Sequence, residues 1–105
     1  MVFIESAAFT KRLRDVLDDD AYAEFQTHLA IHPDAGAVIQ GAGGLRKVRW
    51  AASGRGKRGG ARVIYYFADE KAQIWLLLIY AKNAKDDLSA AEKRQLKELV
   101  EHWNG

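Results

Sequence analysis

Two runs of strand-favouring residues constrain this chain more than any other feature. They are Arg62-Val63-Ile64-Tyr65-Tyr66-Phe67 and Gln73-Ile74-Trp75-Leu76-Leu77-Leu78-Ile79-Tyr80. β-branched and aromatic side chains fit a pleated, half-buried surface, and both runs have strand length. The short polar stretch Ala68-Asp69-Glu70-Lys71 between them suits a tight hairpin turn. The second run is apolar at odd and even positions alike, so it belongs in the centre of a sheet with both faces partly covered.

The rest of the chain supplies the other elements. Val2-Phe3-Ile4 is a short apolar run that predicts a first strand. Ser6 can then cap a helix in which Phe9, Leu13, Val16 and Leu17 recur at helical spacing. Asp18-Asp19-Asp20 interrupts it and offers a cap and negative charge to a second helix, whose Tyr22, Phe25 and Leu29 share a face and which His32-Pro33 ends. After the glycine loop Gly41-Ala42-Gly43-Gly44, Leu45 to Ala51 reads as a strand, and Ser53 to Gly60 as a second glycine-rich loop. Ser89-Ala90-Ala91-Glu92 matches the capping box, and Leu96, Leu99, Val100 and Trp103 form the stripe of a final helix. The expected class is α+β, a small, mainly antiparallel sheet in β-α-α-β-β-β-α order with helices packed on one side. A chain of 105 residues fits one domain spanning 1–105. It has no cysteine, which excludes disulfides and thiolate metal sites and suits a reducing cytoplasm. Neither a signal peptide nor a membrane span is expected.

The net charge of +2 conceals a strong asymmetry. Residues 35–68 carry seven basic side chains and no carboxylate, whereas the segments on either side are net acidic. The seven are Arg46, Lys47, Arg49, Arg55, Lys57, Arg58 and Arg62. Such a stretch is the footprint of a surface that meets phosphate.

Other chemistries fit poorly. Gly54-Arg55-Gly56-Lys57-Arg58-Gly59 spells a dinucleotide fingerprint, but it precedes a strand, so no helix N-terminus follows to face a pyrophosphate. His28 and His32 stand four apart near a helix end with no third ligand at a suitable spacing, so surface or capping roles are the better reading and no metal is expected. No cofactor is implied. The basic segment, by contrast, combines arginine forks that match phosphate oxygens, lysines able to exchange a proton, and glycines that let backbone amides approach a ribose–phosphate chain. Trp50, Tyr65, Tyr66 and Tyr80 are interleaved aromatics on which unpaired bases could stack.

The string Gly44-Leu45-Arg46-Lys47-Val48-Arg49-Trp50-Ala51, the run from Gly54 to Tyr66, and the later Ile79-Tyr80-Ala81-Lys82-Asn83 and Asp87-Leu88-Ser89 together resemble the RelE/HigB superfamily of toxins, in its HigB branch. The resemblance covers nearly the whole chain and implies a RelE-like fold. It further implies a cytoplasmic, ribosome-dependent endoribonuclease that cuts mRNA in the ribosomal A site without a metal, by attack of the ribose 2′-hydroxyl on the adjacent phosphate. It implies a cognate antitoxin, and operator DNA binding only through the complex with that antitoxin. Lys47 and Arg49 match basic positions on the strand before the loop, and Arg62 matches the arginine that opens the following strand, which is expected to bind the scissile phosphate. Lys57 is the first candidate for proton transfer and Lys82 the second. Arg46, Arg55, Arg58 and Tyr80 complete the expected substrate-binding set. Some members carry an arginine after the last strand and a tyrosine at the head of the final helix, where this chain has Asn83 and Ser89. The same basic face would also serve a non-catalytic nucleic-acid binder or a module that docks an acidic protein.

Overall fold

The structure is a computed structural model that describes residues 1–51, 60–81 and 88–104. The elements in chain order are β1 (Val2–Glu5), α1 (Ala7–Val16), α2 (Asp19–Ile31), β2 (Ala37–Val38), β3 (Arg46–Trp50), β4 (Ala61–Ala68), a single 3-10 turn (Asp69–Lys71), β5 (Gln73–Ala81) and α3 (Ala90–Asn104). The five strands form one sheet in the order β1-β5-β4-β3-β2. Only β1 runs parallel to its neighbour, β5; the other pairs are antiparallel. The expected mainly antiparallel α+β order is therefore present, with one addition. The two-residue β2 is too short to show a hydrophobic period.

Each helix begins where a side chain can take up free backbone amides. The Ser6 hydroxyl accepts from the Phe9 amide at 3.0 Å, and the Asp18 carboxylate accepts from the Ala21 amide at 2.8 Å. At α3 the reciprocal pair is complete, Glu92 amide to Ser89 Oγ at 3.1 Å and Ser89 amide to Glu92 Oε1 at 2.9 Å. Substituting such a cap by alanine typically costs about 1 kcal/mol. The α2 helix stops at His32, whose amide donates to the His28 carbonyl, one residue before Pro33. The hairpin between β4 and β5 turns through the 3-10 segment and Ala72, which adopts left-handed backbone angles.

The core has two parts. Phe9, Leu17, Ala21, Phe25 and Leu29 from α1 and α2 pack on Val48, Ala61, Val63, Tyr65, Ile74, Leu76 and Ile79. Ile64, Ala68, Trp75, Leu77 and Tyr80 belong to a second cluster, completed by Leu88 and Val100 with Leu96, Leu99 and Trp103 of α3 beside them. The two sets alternate along β4, so they occupy opposite faces of the sheet. Packing on one side holds for α1 and α2, while α3 covers the other face. The reason is the double-sided apolar character of the central hairpin, because neither face can be left to water.

One irregularity decides where side chains point near the end of β5. Tyr65 pairs with Leu76 but Ile64 pairs with Leu78, so Leu77 is an extra residue in β5, a β-bulge. Leu77 and Leu78 consequently both face α3, and Ile79 returns to the α1/α2 side. The carbonyl of Leu77 accepts a 2.8 Å hydrogen bond from the Ser6 hydroxyl, so one side chain caps α1 and holds the bulge.

Candidate RNA-binding face

Register places Arg49, Arg62 and Tyr80 side by side on β3, β4 and β5. Adjacent strands lie about 4.8 Å apart, so these three form a row across the sheet. Lys47, opposite Ile64, lies two residues along β3 on the same face. This is the α3 side of the sheet, because Ile64 and Tyr80 belong to the α3 cluster. Arg49 is exposed, Lys47 half-buried, and Arg62 and Tyr80 buried at 7% and 3% exposure. The row therefore grades from a solvated cation to a sequestered one.

Two arginines directly opposite each other oppose folding by roughly 0.2–1 kcal/mol. The Arg62 guanidinium donates to the Ala61 carbonyl at 3.5 Å, and a phosphate is an anion that two arginines in register neutralise together. The physical content of the site is thus a preformed positive row with a phenol at its inner end.

The remaining expected site residues divide. Arg46 pairs with Tyr65 and so belongs to the opposite face. Its guanidinium donates to the carbonyls of Gly36 at 2.7 Å and Asp34 at 3.3 Å, which ties the segment after α2 to β3. Arg55, Lys57, Arg58 and Lys82 lie outside the described residues. In sequence the segment that carries the first three runs between the end of β3 at Trp50 and the start of β4 at Ala61. At its base Gly60 has φ +63°, and a Cβ there would stand 2.4 Å from the Trp50 carbonyl oxygen. Sequence reasoning did not single out Gly60, although a glycine immediately before a strand was the available signal.

The aromatics are largely structural. Tyr65 is fully buried; its hydroxyl donates to the Pro33 carbonyl at 2.8 Å and accepts from the Gly36 amide at 2.9 Å. Burial pushes its phenol above the ordinary range, against the lowering effects of the Gly36 amide and of Arg46. Trp50 packs against Phe25 and His28 and donates from Nε1 to the Ala21 carbonyl. Tyr66 lies against Trp75 with ring centres 5.2 Å apart. Of the four rings expected to stack on bases, Tyr80 alone shares the row with Arg49 and Arg62. Two shallow concavities, one along Tyr66–Lys71 and one lined by Ile4, Lys71, Gln73, Trp75 and Trp103, lie at the other end of β5 and are separate from this row. Among the described residues no helix is long and apolar enough to cross a membrane.

This fold, a small sheet clasped by a helical pair and a C-terminal helix, is shared with solved RelE toxin structures. The chain superimposes on a double arginine-to-alanine mutant of Escherichia coli RelE in the free state with TM-score 0.60 and 15% identity, covering 90% of this chain and 94% of that one. Against the intact E. coli RelBE toxin–antitoxin complex the values are 0.57 and 16%, covering 76% and 94%. For the same RelE mutant bound to a peptide of the antitoxin RelB they are 0.54 and 17%, covering 90% of each chain. Residues 6–105 match the family model described as the RelE toxin of the RelE/RelB toxin–antitoxin system, and the chain belongs to that family. The likeness to the HigB branch rests on the sequence strings alone.

Proposed function

We propose that this toxin is a ribosome-dependent endoribonuclease that cleaves mRNA in the A site and is held inactive by a cognate antitoxin. The observation that carries the reading is the in-register row Arg49–Arg62–Tyr80, with Lys47 beside it, at the foot of the basic segment. The 2′-hydroxyl of a ribose attacks the adjacent phosphorus, the bond to the 5′-oxygen of the next nucleotide breaks, and a 2′,3′-cyclic phosphate and a 5′-hydroxyl result. The chain must hold the attacking oxygen in line, neutralise charge on the non-bridging oxygens, and move one proton off the nucleophile and one onto the leaving oxygen. Arg62 suits the second task, since a sequestered guanidinium interacts strongly with a developing phosphorane charge. Arg49 and Lys47 suit alignment of the flanking phosphates. Lys57, then Lys82, are assigned the proton transfers, because neighbouring cations lower a lysine pKa towards a usable base. Arg55 and Arg58 are assigned to the RNA backbone. No metal or cofactor enters this scheme.

Antitoxin control follows from family membership: the E. coli relatives are solved with RelB or a peptide of it, and a small protein encoded beside this one is assigned the same role. Operator DNA is then met through the toxin–antitoxin complex.

The test is induced expression of the wild type and of Arg62→Ala, with primer extension on a translated and an untranslated transcript. Growth arrest with cuts confined to translated regions, reduced about 100- to 1,000-fold by the substitution, is the expected outcome. Equal losses of RNA affinity and cleavage would instead identify a binding surface that breaks no bond.

A further inference from the structure

The other concentration of chemistry lies at the C-terminal end of α2, around the face opposite the cation row. His28 and His32 occupy its last turn and its C-cap, four residues apart, with imidazole ring centres 5.2 Å apart. His28 is half-buried and His32 exposed, so the pair is reachable from solvent on the His32 side. Pairs four apart on a helix face in the same direction. Here Trp50 stands against the inner ring at 5.2 Å, and its own indole N–H is fixed to the Ala21 carbonyl at 3.2 Å. The inner imidazole is therefore packed in place rather than free to rotate.

The ring separation is within the span of one bridging ion. A zinc–nitrogen bond of about 2.0–2.1 Å puts a metal roughly 3.2 Å from each ring centre, and two such arms at a tetrahedral angle span about 5.2 Å. The negative end of the α2 dipole adds attraction for a cation at this turn. Asp34, two residues beyond His32, contributes negative charge to the same exposed segment.

We propose that His28 and His32 form a two-imidazole site for a tetrahedral divalent transition-metal ion of the zinc class, with its other two positions open to water or to a carboxylate from a bound partner. Among the described residues no group of three or more His, Cys, Asp or Glu is placed to hold a metal, so the proposal rests on these two imidazoles alone as protein ligands. The site lies on the α1/α2 side of the sheet and plays no part in RNA cleavage as proposed above. Its position matters because Trp50 is the last residue of β3, so an ion at His28 stiffens the strand end from which the basic segment departs.

The experiment is calorimetric titration of the full, untagged chain with zinc chloride, alongside His32→Ala and His102→Ala. The expected result is one zinc per chain, affinity lowered at least about tenfold by His32→Ala, and no change with His102→Ala. His32 is exposed and its backbone amide makes the capping bond, so this variant keeps its helix. Independently of any variant, zinc added to wild-type protein should shift the imidazole NMR signals of His28 and His32 and leave those of His102 in place. Unchanged affinity in His32→Ala, binding shared equally by all three histidines, or no heat at millimolar zinc would each overturn the proposal.

Discussion

Substituting Gly60 by alanine should destabilise this chain far more than its position beside a loop suggests. Two effects combine. The backbone at Gly60 has φ +63°, and placing an L-residue there costs about 1–2 kcal/mol. The new Cβ would also meet the Trp50–Ala51 peptide unit: the Trp50 carbonyl oxygen at 2.4 Å, the Ala51 Cα at 2.9 Å and the Trp50 carbonyl carbon at 3.0 Å. No side chain can rotate away to relieve this, so the ends of β3 and β4 must separate, an overpacking penalty of about 2 kcal/mol. Together they amount to about 3 kcal/mol. With an unfolding entropy near 2.1 cal/mol/K per residue, a chain of this length loses about 4–5 °C per kcal/mol, so Tm should fall by roughly 14 °C. Gly41 provides the control. It has φ +72° but nothing within 4 Å of its would-be Cβ, so Gly41→Ala carries the backbone strain alone and should lower Tm by about 5 °C. Thermal melts followed by circular dichroism measure both. Equal Tm values for the two variants would refute the argument from contact, and a Gly60→Ala protein within 2 °C of wild type would refute the geometry of the β3–β4 junction.

Other expectations follow from single contacts. Ser6→Ala removes the α1 cap and the bond to the Leu77 carbonyl together and should cost about 2 kcal/mol in a denaturant titration, against about 1 kcal/mol for Asp18→Ala, which removes a cap only. Stability should fall as pH rises above about 10. The phenols of Tyr22 and Tyr65 are raised, first by burial and for Tyr22 also by the Glu5 carboxylate it donates to, so they stay neutral when folded at pH values where the unfolded chain has already ionised. The stability they contribute is complete below the unfolded value and is lost as pH climbs towards the folded one. Melts of wild type and Tyr22→Phe at pH 8 and 10.5 test this, and the substitution should flatten the alkaline decline.

The parts of this fold governed by local rules were legible in the sequence. Ser6, Asp18 and the Ser89–Glu92 pair announced three helix starts, and the β-branched and aromatic runs at residues 62–67 and 73–80 announced the central hairpin. The acid-free segment likewise marked the face on which Lys47, Arg49 and Arg62 lie. What escaped depends on which face of the sheet a residue occupies. Arg46 looks identical to Lys47 in a charge count, yet one step along β3 sends its guanidinium to the carbonyls of Gly36 and Asp34. Tyr65 and Trp50 carry rings suited to base stacking, but their side of the sheet is the one that α1 and α2 cover. The placement of α3 on the other face, and with it the division of the core, followed from the double-sided hairpin rather than from any signal in α3 itself.

The bulge at Leu77 carries a consequence for how the cation row is maintained. Counting by twos from Ile74 would send Tyr80 into the core beneath α1 and α2 and stand Ile79 beside Arg62. The alternative is not remote, since it requires only that the second half of β5 slip by one residue. The Ser6 hydroxyl, by gripping the Leu77 carbonyl, acts as a pawl against that slip. A serine at the start of the first helix thereby selects which side chain neighbours an arginine on the opposite face of the sheet, and its loss should loosen the chemistry of the row as well as the fold.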